Sequence, residues 1–221
     1  MLKNVLINSS PRRVIISSSI SSSSSSASSV EKNEHFSFVE AKKRTDLEIE
    51  RFQKNVALLC PTDCGKCCSS PNVEASEGEM RLVAERLEGD GLAEFYFGKL
   101  ESSRTMKRCV FFTPISEDGY SKGKCAVYEQ RPAMCRLFGF SGRKDKNNKV
   151  EFVGCEHQDR LDVSRAKKLV ADGTVDVPIA STLSMAIRNE AGGDDRLVPI
   201  NEASYDALAK VLFMKQFQIN D

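Results

Sequence analysis

Four cysteines fall within nine positions in the stretch CPTDCGKCC, at Cys60, Cys64, Cys67 and Cys68. Four more, Cys109, Cys125, Cys135 and Cys155, follow with 40, 15, 9 and 19 residues between one and the next. Thiolate sulfur is a soft donor that takes zinc, iron and iron–sulfur clusters. The same atoms also form disulfides and exchange with other thiols. A turn at Gly65 lets backbone N–H groups approach the first sulfurs, as a metal knuckle requires. A tetrahedral site gathers ligands from distant segments, so the long gap after Cys68 is no obstacle. All eight cysteines are therefore candidate metal ligands. Cys67 and Cys68 are adjacent and point in different directions on any regular backbone. They suit two metal atoms, or one of them is a supporting thiol. Eight sulfurs are enough for two mononuclear sites or for one cluster with spares.

Several thiolates around one cation leave an anionic centre, and buried anionic charge needs compensation. Lys66, Arg108, Lys124 and Arg136 each sit directly beside a cysteine. Neighbouring cations also lower a thiol pKa, which aids metal binding and raises reactivity alike. Arg131 and Arg136 have two readings, hydrogen bonding to sulfur or an anionic partner, and an ion pair with Glu129. Tyr128 reads as a core residue, and Phe111, Phe112 and Phe138 as an apolar shell around the site. His157 lies two residues past Cys155, where a surface position is commoner than a nitrogen ligand.

The elements that must hold these residues are mostly helical. In 45–60, Thr45 and Glu48 have capping-box spacing, and Ile49, Phe52, Val56 and Leu59 form an apolar face that Pro61 ends after Cys60. In 76–88, Ser76 and Glu79 repeat the capping box, Met80, Val83, Ala84 and Leu87 form the stripe, and Gly89 and Gly91 end it. Phe95, Tyr96 and Phe97 read as a following turn or short helix packed into the core. CVFFTP (109–114) and KCAVYE (124–129) are short, β-prone and suited to a hairpin. Pro132 suits the start of a short helix carrying Cys135. Residues 148–155 read as a strand after a polar turn at 144–149. Helical patterns return at 163–172, about 180–190 and 202–217, where Tyr205, Leu208 and Leu212 share a face. The expected fold class is mainly α with a small irregular, β-hairpin, cysteine-rich centre.

The chain of 221 residues has 32 basic and 31 acidic residues. That balance argues against a dedicated nucleic-acid binder. No apolar run approaches the length of a membrane span. Disulfide frameworks belong mostly to small secreted domains. Residues 1–30 hold thirteen serines, Lys3, Arg12 and Arg13, and no acid precedes Glu31. A Ser-rich, basic, acid-free leader reads as an organelle transit peptide, disordered in itself, with the chloroplast stroma first and the mitochondrion second. Residues 31–44 would be a linker and 45–221 a single cysteine-rich metal-binding domain. A stromal or matrix setting disfavours permanent disulfides.

The order of CPTDCGKCC, CVFF and GKCAVYEQRPAMCRLFGF resembles the CxxCxxCC family of zinc- or iron-chelating domains. The resemblance spans about 60–157, leaving a helical extension at 160–221. One departure is that three residues, not two, separate Cys60 from Cys64. The resemblance implies a cysteine-bound zinc or iron centre, an iron–sulfur cluster included. It fits a metal-binding, carrier or assembly protein whose partners are a metal ion and a protein client. Relatives that methylate lysine on flagellin carry a similar cysteine set, which leaves an iron–sulfur-dependent, methyltransferase-like enzyme open by analogy. Cys60, Cys64 and Cys67 also have the spacing of radical-SAM enzymes, but the pattern lacks the βα series of that fold. Adjacent Cys67 and Cys68 leave a thiol redox switch as a third reading.

Overall fold

The structure is a computed structural model and describes residues 24–70, 72–103, 108–117 and 122–218, with side chains from Ser37 onward. Helix α1 (Ser24–Val56) runs straight through the segment expected as a linker. Its buried face, Phe38, Ala41, Thr45, Ile49, Phe52 and Val56, recurs every three or four residues. The apolar stripe therefore begins before Thr45, and the capping box expected there does not form. Thr45 sits mid-helix, its hydroxyl donating to the Ala41 carbonyl one turn back (3.0 Å). The last residues of the expected leader, 24–30, belong to α1, while 1–23 lie outside the described residues.

α1 ends at Val56, four residues before the expected Cys60. Ala57 takes a left-handed conformation (φ 50°), and the Leu58 amide bonds back to the Gln53 carbonyl (3.2 Å). This is a Schellman-type stop with Leu58 as its buried contact. Leu58 is fully buried whereas Leu59, expected on the apolar face, is 71% exposed. Arg165 donates to the Val56 carbonyl (2.9 Å) and complements the helix end.

A short strand β1 (Glu74–Ala75) leads into α2 (Glu77–Gly89), capped by Ser76 and Glu79 as expected. Its stripe of Met80, Val83, Ala84 and Leu87 is buried. α3 (Ala93–Ser103) follows. Tyr96 and Phe97 pack inward, but Phe95 is more than half exposed. The hairpin β2 (Phe112–Pro114) and β3 (Gly123–Cys125) is antiparallel, with Phe112 opposite Cys125. Helix α4 (Ala133–Leu137) starts after Pro132 and carries Cys135. A second hairpin pairs β4 (Ser141–Lys144) with β5 (Val150–Val153). Helices α5 (Arg160–Ala171) and α6 (Ala180–Ala191), strand β6 (Val198–Pro199), which pairs with β1, and α7 (Ile200–Gln218) complete the described chain.

Among the described residues the architecture is mainly α, with three two-stranded antiparallel sheets. No described helix is long and apolar enough to cross a membrane. Two apolar cores form. One gathers Phe38, Phe52, Leu58 and Phe152 with α4, α5 and α6. The other gathers α2, α3, Phe111, Val127 and the first turns of α7. The cysteines lie where these two cores meet.

Candidate metal centre

All eight cysteines line one cavity of about 670 Å³. Its walls come from both cores: Ile49 and Phe140 on one side, and Val73, Met80, Phe111, Val127 and Ile200 on the other. The CPTDC loop leaves α1 and turns back through the Cys64 amide to the Pro61 carbonyl (3.2 Å). Lys66–Ser69 then form one 3-10 turn, which places Cys67 and Cys68 side by side. The loop is tied to the first hairpin by two backbone bonds, Gly123 to Asp63 (3.0 Å) and Cys109 to Cys68 (2.8 Å).

The other cysteines are positioned by buried polar groups. Asn201, at the start of α7, accepts from the Val110 amide (2.9 Å) and donates to the Arg108 carbonyl (2.9 Å), fixing the backbone on both sides of Cys109. Glu79 does more than cap α2. Its second oxygen accepts from the Ala133 amide (2.9 Å), docking the start of the helix that carries Cys135. Gln158 accepts from the Cys155 amide (2.7 Å) and donates to the Gly139 carbonyl (3.1 Å), holding Cys155 against the end of that same helix. No motif in the sequence marks Gln158, Asn201 or the second role of Glu79, because each acts across at least one element boundary.

The backbone is arranged for sulfur that carries charge. The His157 amide approaches Cys155 Sγ (3.5 Å). The Phe111 amide bonds the Cys109 sulfur, and the Val127 amide bonds that of Cys125. In all three the donor lies two residues after the cysteine. Such N–H groups stabilise thiolate over thiol and orient a ligating sulfur. Cys68 hydrogen-bonds both Cys67 and Cys125 through its side chain. That sharing pulls Cys67 down to about 6 and Cys125 to about 7, while Cys68, the donor, is raised. Burial pushes Cys109 up to about 12 and raises Cys135 as well. Cys60 is raised to about 11, by desolvation first and by Cys64 and Cys155 next. All eight are free thiols. Among the described residues no group of three or more His, Cys, Asp or Glu is already drawn together tightly enough to hold a metal ion. The fit to a soft cation rests on the donor chemistry: eight sulfurs on one cavity, with backbone amides directed at those of Cys67, Cys109, Cys125 and Cys155.

The two arginines divide the work. Arg136 is buried and structural: it pairs with Asp46 and donates to the Glu129 and Arg131 carbonyls. Arg131 faces the cavity, and its charge lowers Cys60, Cys67, Cys125 and Cys135 together. Neither arginine forms the ion pair with the Glu129 carboxylate that the sequence allows. Lys66 and Lys124 both line the cavity, Lys124 lying 3.7 Å from Asp63 at its exposed edge. Of the expected aromatic shell, Phe111 and Phe138 line the cavity, while Phe112 packs behind the Gly65 turn. Tyr128 is 57% exposed, not core. His157 is an exposed neighbour of Glu156 and does not line the cavity.

Residues 59–157 match the family model CxxCxxCC, described as "Putative zinc- or iron-chelating domain". The matched stretch contains all eight cysteines and every element that carries them. No curated protein and no solved structure matches the chain.

Proposed function

We propose that this chain, whose residues 59–157 match the CxxCxxCC chelating-domain model, binds zinc or an iron centre through its clustered cysteines and serves as a metal-binding carrier or assembly protein. The observation that carries this reading is that eight thiols from five separate segments border a single cavity. Burying that many cysteines as small hydrophobes would not require backbone amides aimed at their sulfurs. Nor would it call for an arginine held over the group. Zinc and iron both suit the donor set, and an iron–sulfur cluster suits it equally. The alternative of radical chemistry on a (β/α) barrel has no support in three antiparallel two-stranded sheets. The client is a protein that supplies or accepts the metal.

The Ser-rich, acid-free first thirty residues support import into an organelle, with the chloroplast stroma first. A fusion of residues 1–30 to a fluorescent protein tests that part alone; cytosolic fluorescence refutes it. The chemical part is tested by elemental analysis and an absorption spectrum of full-length protein purified without oxygen. Zinc or iron in fixed ratio to the chain is expected. Protein that retains neither, and takes up neither after full reduction, ends the metal-binding reading.

A further inference from the structure

The eight sulfurs are not equivalent in their surroundings. Cys109 belongs to the core built from α2, α3 and α7, and Cys68, Cys125 and Cys135 pack directly against it. These four stand on the 3-10 turn, the segment before β2, strand β3 and helix α4. Backbone and side-chain bonds join them: Cys109 to Cys68 through the main chain, and Cys68 to Cys125 through the thiols. The other group follows elements of the opposite core. Cys60 and Cys64 follow the end of α1, and Cys155 follows β5. Cys60 is exposed and Cys109 is buried, at the two extremes, and the other six are half-buried. Cys60 and Cys64 are joined by the turn that bonds the Cys64 amide to the Pro61 carbonyl (3.2 Å), and Cys155 borders the same cavity. Cys67 stands between the groups in the chain, three residues after Cys64 and directly before Cys68, and lines the same cavity.

We propose that the cavity has two ion positions of different character: a closed one formed by Cys68, Cys109, Cys125 and Cys135, and an open one formed by Cys60, Cys64 and Cys155, with Cys67 between them. This deepens the metal-binding reading and rests on it. Four sulfurs on an apolar core, once drawn together by an ion, would complete a tetrahedral shell and exclude a fifth ligand, which is the character of a structural site. Three sulfurs at the solvent side leave the last coordination position to Cys67 or to a ligand from outside. Transfer to a partner protein would proceed by successive exchange, each incoming partner thiol giving its proton to the chain thiolate it displaces until none of the chain's sulfurs holds the ion, with no change of oxidation state. The closed ion would fix the fold around the hairpin, and the open one would be the exchangeable cargo. A cavity of about 670 Å³ has room for both.

Reduced, metal-free full-length protein loaded with zinc alone tests the division. Native mass spectrometry should find two zinc ions per chain, one of them surrendered to a chromogenic chelator at least tenfold faster than the other. The variant Cys60→Ser/Cys64→Ser/Cys155→Ser should keep one ion, the slow one. Cys155→Ser alone, milder for folding, should weaken the fast ion and leave the slow rate unchanged. A single ion per unmodified chain, two ions leaving at one rate, or a triple variant that still holds two would each overturn the two-position arrangement while leaving metal binding intact. Protein that binds no zinc or iron at all would instead remove the metal-binding reading beneath it.

Discussion

The guanidinium of Arg131 lies 3.5 Å from the centroid of the Tyr128 ring. Its Nε donates to the Tyr128 carbonyl (2.9 Å) and one terminal nitrogen to the Cys135 carbonyl (3.4 Å). A planar cation held by a ring and two carbonyls is fixed in direction, which a lysine ammonium would not be. It faces four of the cysteines and supplies positive charge to a centre of thiolates. Arg131→Gln is expected to weaken zinc binding about tenfold, or ~1.4 kcal/mol. It should also move acid release of the metal to higher pH. The sign follows from competition: without the cation the thiols hold protons more tightly, so protons displace zinc at a lower proton concentration. Arg131→Lys should fall between the two. A competitive zinc titration at several pH values measures all three proteins. An affinity and release midpoint unchanged in Arg131→Gln would reduce Arg131 to a packing residue.

Stripping the metal should loosen one part of the molecule and spare another. The segments holding cysteines are short, and several are irregular, with few apolar contacts of their own. α2 and α7 instead bury Met80, Val83, Leu87, Ala203 and Leu208 in a core that needs no metal. Chelation is therefore expected to raise amide exchange in 60–70, 109–112 and 123–127. Protection in α2 and α7 should persist. Hydrogen exchange on loaded and chelated protein reads this segment by segment. Uniform loss of protection would mean that the metal holds the whole fold; no change at the cysteine turn would mean that it holds none of it.

Legibility from the sequence followed the range of the forces involved. The Ser76–Glu79 cap, the stripe of α2 and the Pro132 start of α4 are written in residues a few positions apart, and each is found; the hairpin expected from CVFFTP and KCAVYE forms only over Phe112–Pro114 and Gly123–Cys125, with Tyr128–Gln130 turning into a 3-10 helix. Thr45–Glu48 has the same local pattern and fails, because Phe38 and Ala41 continue the apolar face upstream and make Thr45 an interior residue. The early stop of α1 depends on Ala57 in a conformation that usually selects glycine, so no residue type signals it. Type and spacing single out the cysteines as candidate donors. That all eight line one cavity was not legible, since it comes from how the two cores meet.

Phe112 sets how closely the Gly65 turn approaches the hairpin. A β-carbon at Gly65 would lie 2.1 Å from Phe112 Cε2, and one at Gly123 would lie 2.2 Å from the same atom. The ring thus fills the space that both glycines leave open. Gly65 has an ordinary negative φ, so the constraint is contact and not backbone strain. Gly65→Ala is expected to cost about 1–3 kcal/mol by overpacking. Phe112→Leu should cost on its own but relieve the clash. The double variant should therefore be less destabilised than the sum of the two. Denaturant unfolding of the four proteins measures the coupling. Strict additivity would show that the ring and the turn do not press on each other.

Lys42 gives the fold a pH dependence separate from the cysteines. Its side chain is buried, its Nζ donating to the Gln130 carbonyl (2.7 Å) and lying 5.2 Å from the Phe38 ring centroid. Burial first, and then Arg136, lower its pKa to about 7, against the opposing pull of Glu79, Asp46 and Cys135. The unfolded lysine titrates near its ordinary value of 10.5. Between about 7 and 10.5 the unfolded chain therefore binds a proton that the folded chain does not, and stability rises with pH across that window. Below about 7 both states are protonated, and the full cost of a buried ammonium is present. Lys42→Met keeps the stem and removes the charge. It is expected to raise stability at pH 7 by about 1–3 kcal/mol, as seen when apolar side chains replace buried charges. The gain should shrink as pH approaches 10.5. Thermal or urea unfolding of both proteins at pH 7, 8.5 and 10 measures it. A variant less stable than the parent at every pH would show that the Gln130 bond and the acidic neighbours outweigh the burial of the charge.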